Sequence, residues 1–246
     1  MLSKSQINLL KSLQQKKFRR EQGLFIVEGH KSIIEFINSA YAVEAVYYTS
    51  SFDSKVLKLS QKINFCEISV TELEKVSSLK TPQDALALVR IPKWPVLQHE
   101  QLKGKFSLVL DGIQDPGNMG TIIRIADWFG IDNIICSDDT VDAYYPKVVQ
   151  ACMGSLARIK VHYISLTEIL PKMALPIFGA LLDGANIYKT DFGKEGLIVM
   201  GNEGNGLRPE IQKLVNKAIT IPRIGKAESL NVAIATALFC SEIARK

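Results

Sequence analysis

Apolar residues along this chain switch repeatedly between short continuous runs and positions spaced three or four apart. From Leu24 to Ile91 the runs LFIVEG, VEAVYYTS, NFCEIS and DALALVRI read as strands, and HKSIIEFINSA, DSKVLKLSQKI and TELEKVSSL between them read as helices. This predicts a small α/β domain over 1–92. The segment PKWPVLQHEQLKGK, with two prolines and no period, then reads as a linker at 93–105. Alternation restarts over 106–246: strand FSLVLDG, a helix over 119–130, strand DNIICS, helix YPKVVQACMGSL, strand IKVHYI and a helix near 166–173. Strands PIFGALLD and GLIVMG, helix RPEIQKLV, strand AITIP and a last helix from Ser229 complete it. Near-continuous apolar strands separated by helices predict a mainly parallel sheet covered on both faces. The last helix, SLNVAIATALFCSEIARK, is apolar almost all round and must be buried.

At 246 residues and 47% hydrophobic, the chain can bury a substantial core. No run approaches the ~18 apolar residues of a membrane span, and the N-terminus lacks a signal-peptide pattern, so no membrane association and a cytoplasmic location are expected. Cys66, Cys136, Cys152 and Cys240 stand far apart, and His30, His99 and His162 are scattered, so neither a disulfide framework nor a metal site is expected. Asp138, Asp139 and Asp142 read as solvated surface rather than a metal loop. The net charge of +5 is concentrated at one end: residues 1–20 carry six basic residues and no acid, so the remainder sums to −1. With Ile7, Leu9, Leu10 and Leu13 interleaved, this stretch reads as one basic amphipathic helix. Its Lys16, Lys17, Arg19 and Arg20 are candidates for a polyanion such as RNA, the other reading being a solvated helix face.

Three loops at strand ends concentrate glycine and small polar residues: DGIQDPGNMGT, GNEGNGL and PRIGKAESLN. In an open α/β sheet such loops form the ligand crevice. None has P-loop or G-x-G-x-x-G order, which argues against a nucleotide phosphate cradle and a nicotinamide-dependent oxidoreductase. Together they resemble the three motifs of the SpoU (TrmH) branch of the SPOUT RNA ribose methyltransferases. The first motif is matched by Asn118 and Arg124, the second by Gly201, Glu203 and Gly204, and the third by Ile221, Pro222, Ser229, Leu230, Asn231 and Val232. The stretch LFIVEGHKSIIEFI is similar to the start of the small substrate-binding domain that many of these enzymes carry.

The resemblance implies an S-adenosylmethionine-dependent methyl transfer to a ribose 2′-hydroxyl, with ribosomal RNA as substrate ahead of tRNA. A non-catalytic RNA-binding or ribosome-assembly factor of the same fold is the alternative. It implies a deep trefoil knot in the C-terminal domain and a homodimer packed through it. It places the cofactor at Met200, Gly201, Asn202, Ile221, Pro222 and Leu230, with Gly201 allowing close backbone approach. It places the chemistry at Arg124, Asn118, Glu203, Ser229 and Asn231. Because a guanidinium is almost never deprotonated, Arg124 is expected to clamp a phosphate and stabilise developing charge; pairing with Asp127 at i, i+3 is its structural alternative. Asn118 is expected to orient Arg124 or the substrate phosphate, Glu203 to hold loop geometry or an arginine, and Ser229 to be the N-cap of the last helix.

Overall fold

The computed structural model describes residues 1–52 and 63–245; the expected helix DSKVLKLSQKI falls, apart from its last residue, outside them. The chain forms two compact units, Met1–Lys93 with Asp142–Arg158, and Trp94–Val141 with Ile159–Lys246. The continuous expected boundaries therefore differ from the observed ones in two places, and in each the reason is packing. Trp94–Lys105 is not a free linker, because Leu97 and Leu102 are buried in the core of the second unit. The segment from Asp142 lies in the first unit, where the Tyr144 ring is 4.9 Å from that of Phe25.

The first unit opens with α1 (Lys4–Ser12) and α2 (Lys16–Gln22), followed by β1 (Leu24–Glu28), α3 (His30–Ile37), β2 (Val43–Tyr48), β3 (Asn64–Glu67), α4 (Val70–Val76) and β4 (Ala85–Arg90). The strands form a mixed sheet in the order β1-β4-β2-β3, with β4 antiparallel to β1 and β2 and β2 parallel to β3. Ser3 with Gln6 and Ser69 with Glu72 form capping boxes that start α1 and α4. The expected single helix over 1–20 is two helices, because Leu13 turns into the core and its carbonyl accepts a hydrogen bond from Arg19 Nη1 at 2.8 Å. Arg19 is only 2% exposed, and its Nε and Nη2 donate to Asp142 Oδ2 at 2.9 and 2.6 Å. Two expectations are corrected by this pair: Arg19 has no surface to offer RNA, and Asp142 is not solvated. Lys16, Lys17 and Arg20 remain exposed.

The second unit carries α5 (His99–Leu102), β5 (Phe106–Asp111), α6 (Pro116–Trp128), β6 (Asn133–Cys136), β7 (Lys160–Tyr163), α8 (Leu166–Ile169), β8 (Ile177–Asn186), β9 (Gly196–Gly201), α9 (Pro209–Gln212), β10 (Lys217–Thr220) and α10 (Val232–Ala244); the intervening α7 (Pro146–Ala151) belongs to the first unit. Its six strands run parallel in the order β10-β8-β9-β5-β6-β7. Alternate residues serve opposite faces: Val109, Ile135, Leu197 and Val199 enter one core with residues of α8 and α9. The other face is covered by α10, which packs on β9 and on α6, while α6 packs on β6. Two helix starts differ from expectation. α6 begins at Pro116 rather than 119, because Asp115 is its N-cap, accepting from Asn118 N at 2.8 Å, and proline is favoured at the first helical position. α10 begins at Val232, and its N-cap is Asn231 rather than Ser229.

Candidate active site

β5 leads outward to β6 on one side of the sheet, whereas β9, paired with it, leads to β10 on the other. A doubly wound sheet opens its ligand crevice at such a switch point, beyond the carboxyl ends of the two strands. Asp111 and Gly201 face each other there in register, so the first and second motif loops leave the sheet side by side.

The second loop is held by its own polar groups. Asn202 and Gly206 exchange backbone hydrogen bonds at 2.9 and 3.0 Å, and Asn202 Oδ1 accepts from the amides of Gly204 and Asn205. Asn202 Nδ2 donates to the carbonyl of Gly112 at 2.7 Å, which ties this loop to the first. A Cβ on Gly201 would lie 2.3 Å from the Gly206 carbonyl carbon. Glycine is required there by the loop's own closure. Met200 is 1% exposed and belongs to the core. The Asn202 side chain is fully engaged in the loop.

Glu203 reaches from this loop to the first turn of α6. Its carboxylate accepts from the Gln114 and Asp115 amides, each at 3.3 Å, and from Asn118 Nδ2 at 3.1 Å. A negative charge at a helix N-terminus is favoured by the exposed N–H groups. Asn118 Oδ1 in turn accepts from Asn231 Nδ2 at 2.9 Å, and Asn231 Oδ1 accepts from the Ala233 and Ile234 amides. Because Asn231 spends its oxygen on the α10 amides, its NH2 must face Asn118, so the Asn118 oxygen faces Asn231 and its NH2 faces Glu203. One residue from each motif thus forms a relay with a single consistent set of donors and acceptors. Glu203 holds loop geometry, as expected, and its partners are amides rather than an arginine.

Arg124 lies outside this relay. It is exposed on α6 and makes no hydrogen bond or ion pair among the described residues. Ser229, Pro222 and Leu230 are also exposed, Leu230 to 50%, and Ile221 is half-buried. The sequence reading missed Asp111 and Arg208. The Asp111 side chain is fully buried, and Arg208 donates to it from its backbone amide at 2.8 Å and from Nε at 2.7 Å. An acid closing an apolar strand, with an arginine just after the facing glycine loop, was the available signal, since a buried carboxylate needs a partner. That hydrogen bond raises the Arg208 pKa, with burial opposing it and further acids adding to it. Asp139 is held below the usual carboxylate range chiefly by the Ser137 hydroxyl, against burial and with help from Arg208.

These residues fit S-adenosylmethionine in kind. The relay gathers the loops next to it, which present the open apolar surface of Leu230, the half-buried Ile221 and backbone groups. Such a surface suits a flat base and a neutral ribose. No group of three or more metal-ligating side chains occurs among the described residues.

The SpoU rRNA methylase family model matches residues 105–241, and the model of the MRM3-like substrate binding domain matches residues 4–87. The chain is 29% identical to the Bacillus subtilis 23S rRNA (guanosine(2553)-2′-O)-methyltransferase RlmP, covering 93% of this chain and 91% of that one. It is 30% identical to the 23S rRNA (guanosine-2′-O-)-methyltransferase RlmB of Acinetobacter baylyi, covering 78% and 83%. Among solved structures, a TrmH-family protein from Porphyromonas gingivalis superposes with a TM-score of 0.90 at 36% identity, over 100% of this chain and 99% of that one. An AdoMet-bound rRNA methyltransferase from Sinorhizobium meliloti gives 0.88 at 25% identity, over 100% and 97%.

Proposed function

The chain belongs to the SpoU rRNA methylase family, and on that premise we propose that it transfers a methyl group from S-adenosylmethionine to a ribose 2′-hydroxyl of ribosomal RNA. The observation that carries this reading is the relay Glu203–Asn118–Asn231, which joins all three motif loops at the switch point of the sheet. A protein retaining the fold only to bind RNA has no need of such a relay.

S-adenosylmethionine, when bound, supplies an electrophilic methyl group. Leu230, Ile221, Pro222 and the backbone beside Gly201 would hold it. Ser229, beside the N-cap of α10, is placed to contact the ribose. Arg124, a planar fork with no bonded donor among the described residues, clamps the substrate phosphate and stabilises the negative charge that grows on the 2′-oxygen as its proton passes to water. Asn118, Glu203 and Asn231 act by fixing the loops around that centre. Residues 1–92 serve as the RNA-binding domain, with Lys16, Lys17 and Arg20 as phosphate contacts. We place the enzyme in the cytoplasm as a homodimer; exposed Trp128 and Ile234 on the mutually packed α6 and α10 support a second copy as their cover. We also assign the C-terminal segment from β10 onward a deep trefoil knot.

The test is ribose-methylation mapping of total RNA from a strain lacking the gene, beside its parent and a strain complemented with Arg124→Ala. Loss of one rRNA mark, restored by wild type and not by the variant, is expected. Loss of a tRNA mark would move the substrate to tRNA, and an unchanged map with no S-adenosylmethionine binding by calorimetry would favour the non-catalytic reading.

A further inference from the structure

We propose that Arg208 and Asp111 are a positioning pair for the methyl transfer, an inference that rests on the reading above. The Asp111 carboxylate is wholly buried at the end of β5, where an unpaired charge would cost several kcal/mol. Its neighbours among the described residues include three donors from one residue: Arg208 N to Oδ2 at 2.8 Å, Nε to Oδ1 at 2.7 Å and Nη2 to Oδ1 at 2.5 Å. Because one donor is a backbone amide, the contact fixes the path of the chain at 208 as well as a side chain. The other end of the loop is fixed next door, by Asn202 Nδ2 on the Gly112 carbonyl. Loop 202–208 is thus pinned at both ends to Asp111–Gly112, and Glu203 lies between the pins. Its bonds to Gln114, Asp115 and Asn118 span 3.1–3.3 Å, so a small shift of the loop breaks them.

Arg208 is not a phosphate contact in waiting. Beyond Asp111, its guanidinium is 3.7 Å from Asp139 and 3.9 Å from Glu210, so three carboxylates surround one positive charge. That neutralised setting is the opposite of Arg124, and it suits an anchor. The fork also matters: lysine keeps the charge and the backbone donor, but cannot reproduce the Nε contact while reaching the same oxygen with a second nitrogen.

Arg208→Lys and Asp111→Asn are compared with wild type by hydrogen exchange of the amides in 202–206, by calorimetry with S-adenosylmethionine alone, and by steady-state transfer to rRNA. Both variants are expected to speed exchange of the Gly204, Asn205 and Gly206 amides about 10-fold or more while exchange across β5 and β6 is unchanged. kcat should fall about 10- to 100-fold, as for a small displacement of an aligned group, with KM for RNA near wild type. Combining Arg208→Lys with Glu203→Gln should cost little more than Glu203→Gln alone, because the anchor acts through Glu203. Unchanged loop exchange in Arg208→Lys, fully additive losses, or a rise in KM for RNA with normal kcat would each overturn the pair's role. If wild type itself transferred no methyl group, the functional reading would fall, whereas loop exchange would still report on the anchor.

Discussion

The loop after β9 and the segment leading into α10 leave the same end of one sheet and supply two of the three motifs, but they are held in opposite ways. In loop 202–208 the side chains of Asn202, Glu203 and Arg208 are bonded to the loop itself or to residues 111–118. Residues 222–230 are exposed throughout, and the side-chain contact within them is Arg223 Nη1 to the Ala227 carbonyl at 3.3 Å. The same division runs along α6, where Asn118 is bonded on both sides and Arg124 is not bonded at all among the described residues. Residues whose hydrogen bonds are consumed can set geometry but have nothing left to offer a ligand. Those left open are the ones a cofactor and an RNA strand can engage.

The largest test of this division is Arg124→Ala, which should leave folding and S-adenosylmethionine binding intact while turnover falls about 100- to 1,000-fold, the scale for losing one preorganised charge-stabilising donor. Arg124→Lys should recover little if the planar fork matters, and near-normal turnover in Arg124→Ala would place the arginine with the surface residues. The converse substitution is at a consumed arginine. Arg19→Ala should cost about 3 kcal/mol of stability in denaturant unfolding, because Asp142 loses its buried partner, with RNA affinity of the folded protein unchanged. Leu230→Asp, on the open segment, should weaken S-adenosylmethionine binding about 10-fold by calorimetry, the worth of one leucine contact surface, without altering RNA affinity. Replacing Lys16, Lys17 and Arg20 together by alanine should lower RNA affinity several-fold and flatten its salt dependence by at most about three phosphate contacts, with no change in unfolding. The smallest effect concerns His162, buried on the edge strand β7, whose pKa is lowered by burial and then by Lys160. Its folded pKa lies below the unfolded one, so the neutral form is favoured in the fold. That contribution is present above about pH 6.5 and is lost as the pH falls through the folded value, a loss that His162→Gln should remove from the pH–stability curve.

The relay residues were legible in the sequence through the resemblance of the three loops to family motifs, and Glu203, the one acid in a glycine loop, was read as holding loop geometry or an arginine. Their partners were not legible. Asn118 was expected to orient Arg124 or the substrate phosphate; six helical positions separate it from Arg124 and turn the two to different faces of α6. That the loop's own closure also demands glycine at 201 was not legible, because the neighbour that forbids a side chain there, Gly206, meets it only in three dimensions. The helix after β5 was expected from 119, whereas Asp115 caps it and Pro116 is its first residue, a distinction that rests on where the Asp115 side chain points.

Hydrophobic periodicity by itself determined the strands, the helices and the parallel character of the second sheet, because strand and helix periods are local properties of the chain. The local run of positive charge at the N-terminus was equally plain. Only the tertiary structure decided that Arg19 is buried against Asp142, 123 residues away, that Asp111 meets Arg208, and that three loops converge on one relay. Burial and pairing of charge depend on which distant segment arrives at the same place. A sequence fixes the charge of an arginine, and the fold decides whether that charge is neutralised inside the protein or left free for a substrate.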